Sequence, residues 1–251
     1  MPDQFIVEHC SPTLAGLKTG NLFSVRIKGK ENSYKEIREL NKILTIYGLR
    51  AIPVRCDDEF TLIYVYRPDY LSRDLSDPEA VEILERMGYM RRDSSVDAGN
   101  ARAANGDPVE SAQKHKAANE DPAEPAQKHK AANEDSVEAG QKHNAASASA
   151  PIYTSAGGHR AERFLVKLVK RMQESGEFPH EIGLFLGYPP VDVKGFMENP
   201  RQGVKCVGFW KVYGDQEKAE RTFSSYRKCT ETYRREIRSG KSLEQLIVRS
   251  A

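Results

Sequence analysis

The chain is short of cysteine, tryptophan and long apolar runs, and each shortage excludes a class of protein. Its 251 residues include four cysteines (Cys10, Cys56, Cys206, Cys229) and one tryptophan, Trp210. No two cysteines form a Cys-x-x-Cys pair, so neither a paired-cysteine zinc site nor a thioredoxin-type redox motif is written in the chain. Reduced thiols in a cytoplasmic protein are the expectation. No apolar run approaches the roughly 20 residues that cross a bilayer. The segment MPDQFIVEHC carries an acidic residue where a signal peptide carries a basic one, so no membrane association is expected. A dominant charge is missing too: 38 Lys and Arg stand against 36 Asp and Glu. The phosphate loop, the dinucleotide fingerprint, the His-Glu-x-x-His pair and the Gly-x-Ser-x-Gly elbow are all absent.

What is there begins with an insertion. Residues 91–150 contain no Leu, Ile, Met, Phe, Tyr or Trp and only Val96, Val109 and Val137 among the larger aliphatics. Three copies of a 14-residue unit fill most of it: AANGDPVESAQKHK at 103–116, AANEDPAEPAQKHK at 117–130 and AANEDSVEAGQKHN at 131–144. Units with almost nothing apolar to bury cannot offset an ordering entropy of roughly 1–2 kcal/mol per residue, so a disordered linker over 91–151 is expected. The equally spaced His115, His129 and His143 suggest a metal site. Their 14-residue spacing would require closing two long loops around one ion, whereas structural zinc ligands come in close pairs. No metal site is expected, and neither a cofactor nor an oligomeric state is legible. Outside 91–150 the charge stands at 30 basic against 26 acidic residues, too even to imply nucleic acid.

Both flanks carry periodic apolar patterns. Residues 21–28 alternate like a half-buried strand, and residues 33–47 place Ile37, Leu40, Ile43, Leu44 and Tyr47 at helical spacing before Gly48. Two more strands are predicted at 49–55 and 60–67 around a tight Cys56–Glu59 loop. The second, FTLIYVYR, is apolar enough for a central position. Asp77 and Pro78 start a short helix that ends before Gly88. Beyond the repeats, helices are predicted at 160–175, 179–186 and 190–199 and a strand at 205–213. A long helix comes after Asp215, its apolar stripe running from Ala219 to Ile237, and an edge strand is predicted at 243–248. Neither flank has a comfortable core alone. The expectation is therefore one α+β domain, built from 1–90 and 152–251, with a mixed sheet of about four to five strands flanked by helices.

Candidate chemistry concentrates in three places. HCSPTLAGLKTGNLF (9–23) is dense in small and turn-forming residues, so its backbone can wrap a ligand. It offers the Cys10 thiol, the Thr13 hydroxyl and the Lys18 ammonium, which suits an anionic group. Tyr66 and Arg67 end the predicted central strand, where a guanidinium can grip a carboxylate or phosphate. His180 and Glu181 open a helix, and Glu181 also suits a capping role. These places support three readings. The first is a pocket for a small anionic ligand gathering Cys10, Thr13, Lys18, Tyr66, Arg67 and His180, with Glu181 beside it. The second is a cysteine-dependent enzyme with Cys10 as nucleophile and His180 as base. The third is a DNA-binding regulator through 181–196, whose Gly183, Gly187 and Val193 match helix-turn-helix spacing. Against the third, Lys194 stands alone beside Asp192 and Glu198, and phosphate contacts need a denser basic set.

Four segments, HCSPTLAGLKTGNLF, FTLIYVYRPDYL, EFPHEIGLFLGYPPVDVKGF and KCVGFWKVYGDQEKAERTFSSYRKCTETY, together resemble an uncharacterised family of anaerobic Firmicutes proteins, domain of unknown function 3793. The resemblance spans nearly everything except the repeats. It implies a cytoplasmic bacterial protein whose two flanks form one unit, and it supplies no reaction, cofactor or catalytic residue.

Overall fold

Three extended segments with alternating apolar residues, β1 (Gly20–Arg26), β2 (Arg50–Cys56) and β3 (Phe60–Tyr66), pair antiparallel in the order β1-β3-β2 in the computed structural model of the protein. The residues described are 1–90, 156–174 and 178–249. The repeat tract, with His115, His129 and His143 and its expected disorder, lies outside them. As FTLIYVY suggests, β3 is central, and its alternation divides the core in two. Ile63 and Val65 face one side, while Tyr64 and Tyr66 face the other. Pro53 lies on an edge strand, where its missing N–H removes no ladder bond that the fold requires. The register shift beside it frees Val54 to join the tyrosine side.

Helices cover both sheet faces. On the Ile63 side, α1 (Asp3–Leu14) and α2 (Lys30–Leu44) bury Ile6, Val7, Cys10, Leu14, Ile37, Leu40 and Leu44. On the Tyr64 side lie α3 (Pro68–Asp74), α4 (Pro78–Arg86), α5 (Ala156–Glu174) and the short α6 (Ile182–Phe185) and α7 (Pro190–Glu198), whose Leu71, Leu84, Phe164, Leu168, Phe185 and Val193 fill that core. A two-stranded ribbon, β4 (Cys206–Val207) with β5 (Lys211–Val212), packs Trp210 and Val212 against Ala219, Phe223 and Tyr226 of α8 (Gln216–Arg238). The long helix lies along α1, and α9 (Leu243–Leu246) returns to the first core through Leu243 and Leu246. The described parts of both flanks thus make one compact unit. Asp77 caps α4 and Asp215 caps α8, as their positions suggest.

The class is α+β with five strands among the described residues, but they form a sheet of three and a separate ribbon of two rather than one mixed sheet, and every pairing is antiparallel. The strand expected at 205–213 turns back at Gly208 to become that ribbon. The edge strand expected at 243–248 is instead α9, held by a capping box between Ser242 and Gln245. Of the segment expected to wrap as a loop, 9–23, the first six residues are the end of α1 and the last four begin β1, which leaves residues 15–19 as the loop. Pro12 sits inside this helix, and burial of Ile6 through Leu14 outweighs its missing hydrogen bond.

Candidate functional site

Pro12 also shapes the segment after α1. The amides of Leu17 and Lys18 both donate to the Pro12 carbonyl, at 2.8 and 3.1 Å, so the chain doubles back over the helix's last turn. Gly16 (φ +73°) allows that reversal. Residues 16–19 form one wall of a cleft of about 520 Å³. The facing wall is the α6–α7 turn, where Gly187 (φ +76°) lets the Tyr188 amide reach the Gly183 carbonyl at 2.9 Å and Pro189-Pro190 start α7. A Cβ on Gly187 would come 2.6 Å from Thr19 Oγ1, so the two walls meet there in close packing. Tyr70, Asp74 and the first turns of α8 complete the lining.

Asp192 ties this side of the cleft together. It is 3% exposed, yet its Oδ2 accepts the indole N–H of Trp210 at 2.7 Å, and its Oδ1 accepts the amides of Tyr213 and Gly214 at 2.8 and 2.7 Å. Three donors satisfy a carboxylate that would otherwise be costly to bury. The knot fixes Trp210, which stacks on Tyr188 (centroids 4.8 Å apart) and meets Phe223 edge-on at 4.5 Å. Tyr226 donates to the Leu17 carbonyl at 3.3 Å. Tyr70, Tyr188, Trp210 and Tyr226 give the cleft aromatic walls, and Leu17 and Val191, each about half exposed, line its mouth.

Lys18 is the exception in a well-partnered site. The residue is 5% exposed and lines the cleft, and its ammonium has no hydrogen-bond acceptor or carboxylate among the described residues. The Tyr188 ring lies beside it, its centroid 5.3 Å from Nζ. Burial disfavours the charged form and brings its pKa down to about 8. The lining carboxylates, by contrast, all have donors. Asp77 takes the Glu79 amide at 2.9 Å, Asp215 the Lys218 amide at 3.0 Å, and Asp74 both the Thr19 hydroxyl and Arg73.

The four segments that line the cleft and its supports, around Lys18, Tyr70, Tyr188 and Trp210, lie within stretches matched by a known family. The family described as "Protein of unknown function (DUF3793)" matches residues 6–101 and 148–247. The chain belongs to that family. The match passes over 102–147, where the repeats lie. No curated protein and no solved structure matches the chain.

In this DUF3793 protein the residues singled out from sequence fall into separate groups: Cys10 lies close enough to Lys18 for each to shift the other's pKa, Thr13 lies against Arg67, and Tyr66, His180 and Glu181 lie elsewhere. Of them, Lys18 alone lines the cleft. Arg67 sits one layer behind, its Cζ 3.9 Å from where a Cβ on Gly16 would be. It is fully buried and acts on backbone: Nε donates to the Thr13 carbonyl at 2.7 Å, and Nη2 to those of Leu14 and Val248 at 2.8 and 2.6 Å. The guanidinium thereby closes the end of α1, where carbonyls lack helical partners, and pins the tail of the chain. Thr13 is buried beside it and donates to the Asn21 side chain at 2.7 Å. Tyr66 lies in the core of the other sheet face, stacked 4.8 Å from Tyr64, and burial pushes its hydroxyl up to about 12.

Cys10 and His180 are not brought together. Cys10 is fully buried in the core of the Ile63 face, where burial drives its thiol well above the ordinary range. His180 is exposed and packs edge-on against Phe196 of α7, across the sheet from Cys10. Glu181 does not cap α6. It is 1% exposed and accepts the Tyr89 hydroxyl at 2.9 Å, with Arg171 at 3.3 Å. The helix-turn-helix-like segment does form two short helices around Gly187. The outward charges of the second are paired, Lys194 with Glu82 and Glu198 with Arg86. Among the described residues, no group of three His, Cys, Asp or Glu is placed to hold a metal ion, and no helix is long and apolar enough to cross a membrane.

Proposed function

We propose that this protein binds a small anionic molecule with a flat, apolar portion in the cleft between the 16–19 loop and the α6–α7 turn. The observation that carries this reading is the Lys18 ammonium: buried, opening on the cleft, and without an acceptor among the described residues. A buried cation lacking a partner is destabilising, and an anion entering from solvent would supply what the fold does not. The aromatic walls favour a planar companion to that charge, and a volume of about 520 Å³ suits a small metabolite.

The experiment uses Trp210, the only tryptophan of the chain and part of the cleft lining, as an intrinsic reporter. Titration with 4-methylbenzoate, an aromatic monoanion, is expected to change Trp210 fluorescence saturably. Lys18→Met is expected to weaken binding about 10- to 100-fold, the range for losing a charge-assisted hydrogen bond. Native mass spectrometry of the purified protein tests for a ligand carried through purification. Equal affinity in the variant, or neither saturable binding nor a retained molecule, rejects the reading.

A further inference from the structure

We infer that Lys18 captures carbonyl compounds covalently, as an imine formed within the cleft with an aromatic 2-oxo acid, whose carboxylate then lies beside the protonated imine nitrogen. This rests on the cleft being a ligand site and goes beyond it by naming a reaction class. The geometry gives three reasons. The amine is held on the cleft wall with no acceptor among the described residues to occupy its protons. Its 5% exposure leaves only a small part of the side chain open to the cleft water that would hydrolyse an imine. The Tyr188 ring beside Nζ and the stacked Trp210 offer a flat surface along which an aromatic carbonyl compound can lie.

The chemistry balances without a further reagent. The ammonium gives one proton to solvent, and the nitrogen lone pair forms a C–N bond as the carbonyl π pair moves to oxygen. Proton transfer from nitrogen to oxygen gives a carbinolamine, and loss of one water, with the released proton taken back from solvent, leaves a protonated C=N bond. Depression of the pKa to about 8 by burial assists the first step. At pH 7.5 roughly one Lys18 in four is the free amine, against about one in a thousand for an ordinary lysine.

The test pairs two aromatic monoanions of similar size, using the full chain. Phenylglyoxylate with cyanoborohydride converts any imine to a stable amine, located by intact mass and peptide mapping. 4-Methylbenzoate, which lacks the carbonyl, reports non-covalent binding through Trp210. The expected result is one adduct at Lys18, forming more than tenfold faster than at any other lysine, suppressed by 4-methylbenzoate and absent in Lys18→Arg and Lys18→Met. The melting temperature of each variant establishes that it is folded. Adducts spread evenly over the lysines, with 4-methylbenzoate still binding, overturn the imine and leave the non-covalent reading in place. No adduct at Lys18 together with no 4-methylbenzoate binding overturns both.

Discussion

Replacing Lys18 by methionine should make the protein more stable while weakening the proposed anion binding, which is the reverse of the usual effect of altering a buried residue. The magnitude comes from the pKa. Lys18 is held at about 8 in the native state against an ordinary 10.5. The unfolded chain therefore binds more protons than the native one between those values, and native stability rises with pH across that window. Below pH 8 both states carry the charge, and its burial costs the native state roughly 3 kcal/mol, at about 1.4 kcal/mol per pKa unit. Methionine keeps most of the apolar stem and removes the charge, giving up a contact with Tyr188 of about 0.5–1 kcal/mol.

The expected gain at pH 7 is thus roughly 2–3 kcal/mol, or a Tm increase of about 5–10 °C in a body of this size. The assay is urea unfolding of wild type and variant at pH 6, 7, 8.5 and 9.5, read as the difference so that other titrating groups cancel. That difference should be constant from pH 6 to 7 and should shrink by about 2 kcal/mol by pH 9.5. A variant less stable than wild type at pH 7 would refute the reasoning, since it would mean that the ammonium has a partner in the native state. A difference that does not change with pH would do the same.

The remaining expectations probe the cleft and its supports. Affinity for 4-methylbenzoate should fall about tenfold per pH unit above pH 8, where the free protein loses the Lys18 charge; a flat profile to pH 9.5 would remove Lys18 from binding. Gly187→Ala should cost roughly 2 kcal/mol and weaken the probe, because it combines a left-handed backbone with a Cβ driven into Thr19; an unchanged melt would contradict the close packing of the two walls. Arg67→Met should cost roughly 3 kcal/mol by leaving the Val248 carbonyl without its donor and those of Thr13 and Leu14 with only the Gly16 and Val248 amides, with Arg67→Lys restoring less than half and the segment near Val248 becoming protease-sensitive; a loss below about 1 kcal/mol would show that the pin is dispensable. Alkylation of native protein should reach Cys56 and Cys206 and spare Cys10 and Cys229, which are buried; rapid labelling of Cys10 would contradict its place in the core.

Where local chemistry decides an element, the sequence was readable. Asp77 and Asp215 cap the helices they precede, Gly48 and Gly88 end helical stretches with positive φ, and the apolar run of β3 marks the central strand. Where tertiary burial decides, it was not. HCSPTL has the composition of a loop, and it is helical because the helix buries seven of its twelve residues against the sheet and its neighbours. Arg67 stands where a strand end often meets a ligand. That the end of α1 and the tail of the chain would arrive there first is a long-range fact that no local pattern contains. Lys18 was legible because flanking glycines and threonine allow a close-wrapped backbone. Its cleft partners were not, although two signals existed: the single tryptophan, and an aspartate set among apolar neighbours in GYPPVDV. Such an aspartate must find donors if buried, and Trp210 supplies one of them.

A cleft lined by four aspartates would ordinarily repel anions, so a preference for them depends on where each negative charge is spent. Asp77 and Asp215 sit at the starts of α4 and α8, where the positive ends of the helix dipoles offset them. Asp192 lies in the first turn of α7 and is saturated by an indole N–H and two amides. Asp74 is balanced by Arg73 and by the Thr19 hydroxyl. Lys218 is exposed, so water screens it. With every aspartate supplied with donors, the one buried charged group of the lining without a partner among the described residues is the Lys18 ammonium, with aromatic faces around it. One uncompensated cation has room for one negative charge. A second would lie against the aspartates without a donor of its own, so the proposed site is expected to favour a monoanion over a phosphate dianion or a dicarboxylate.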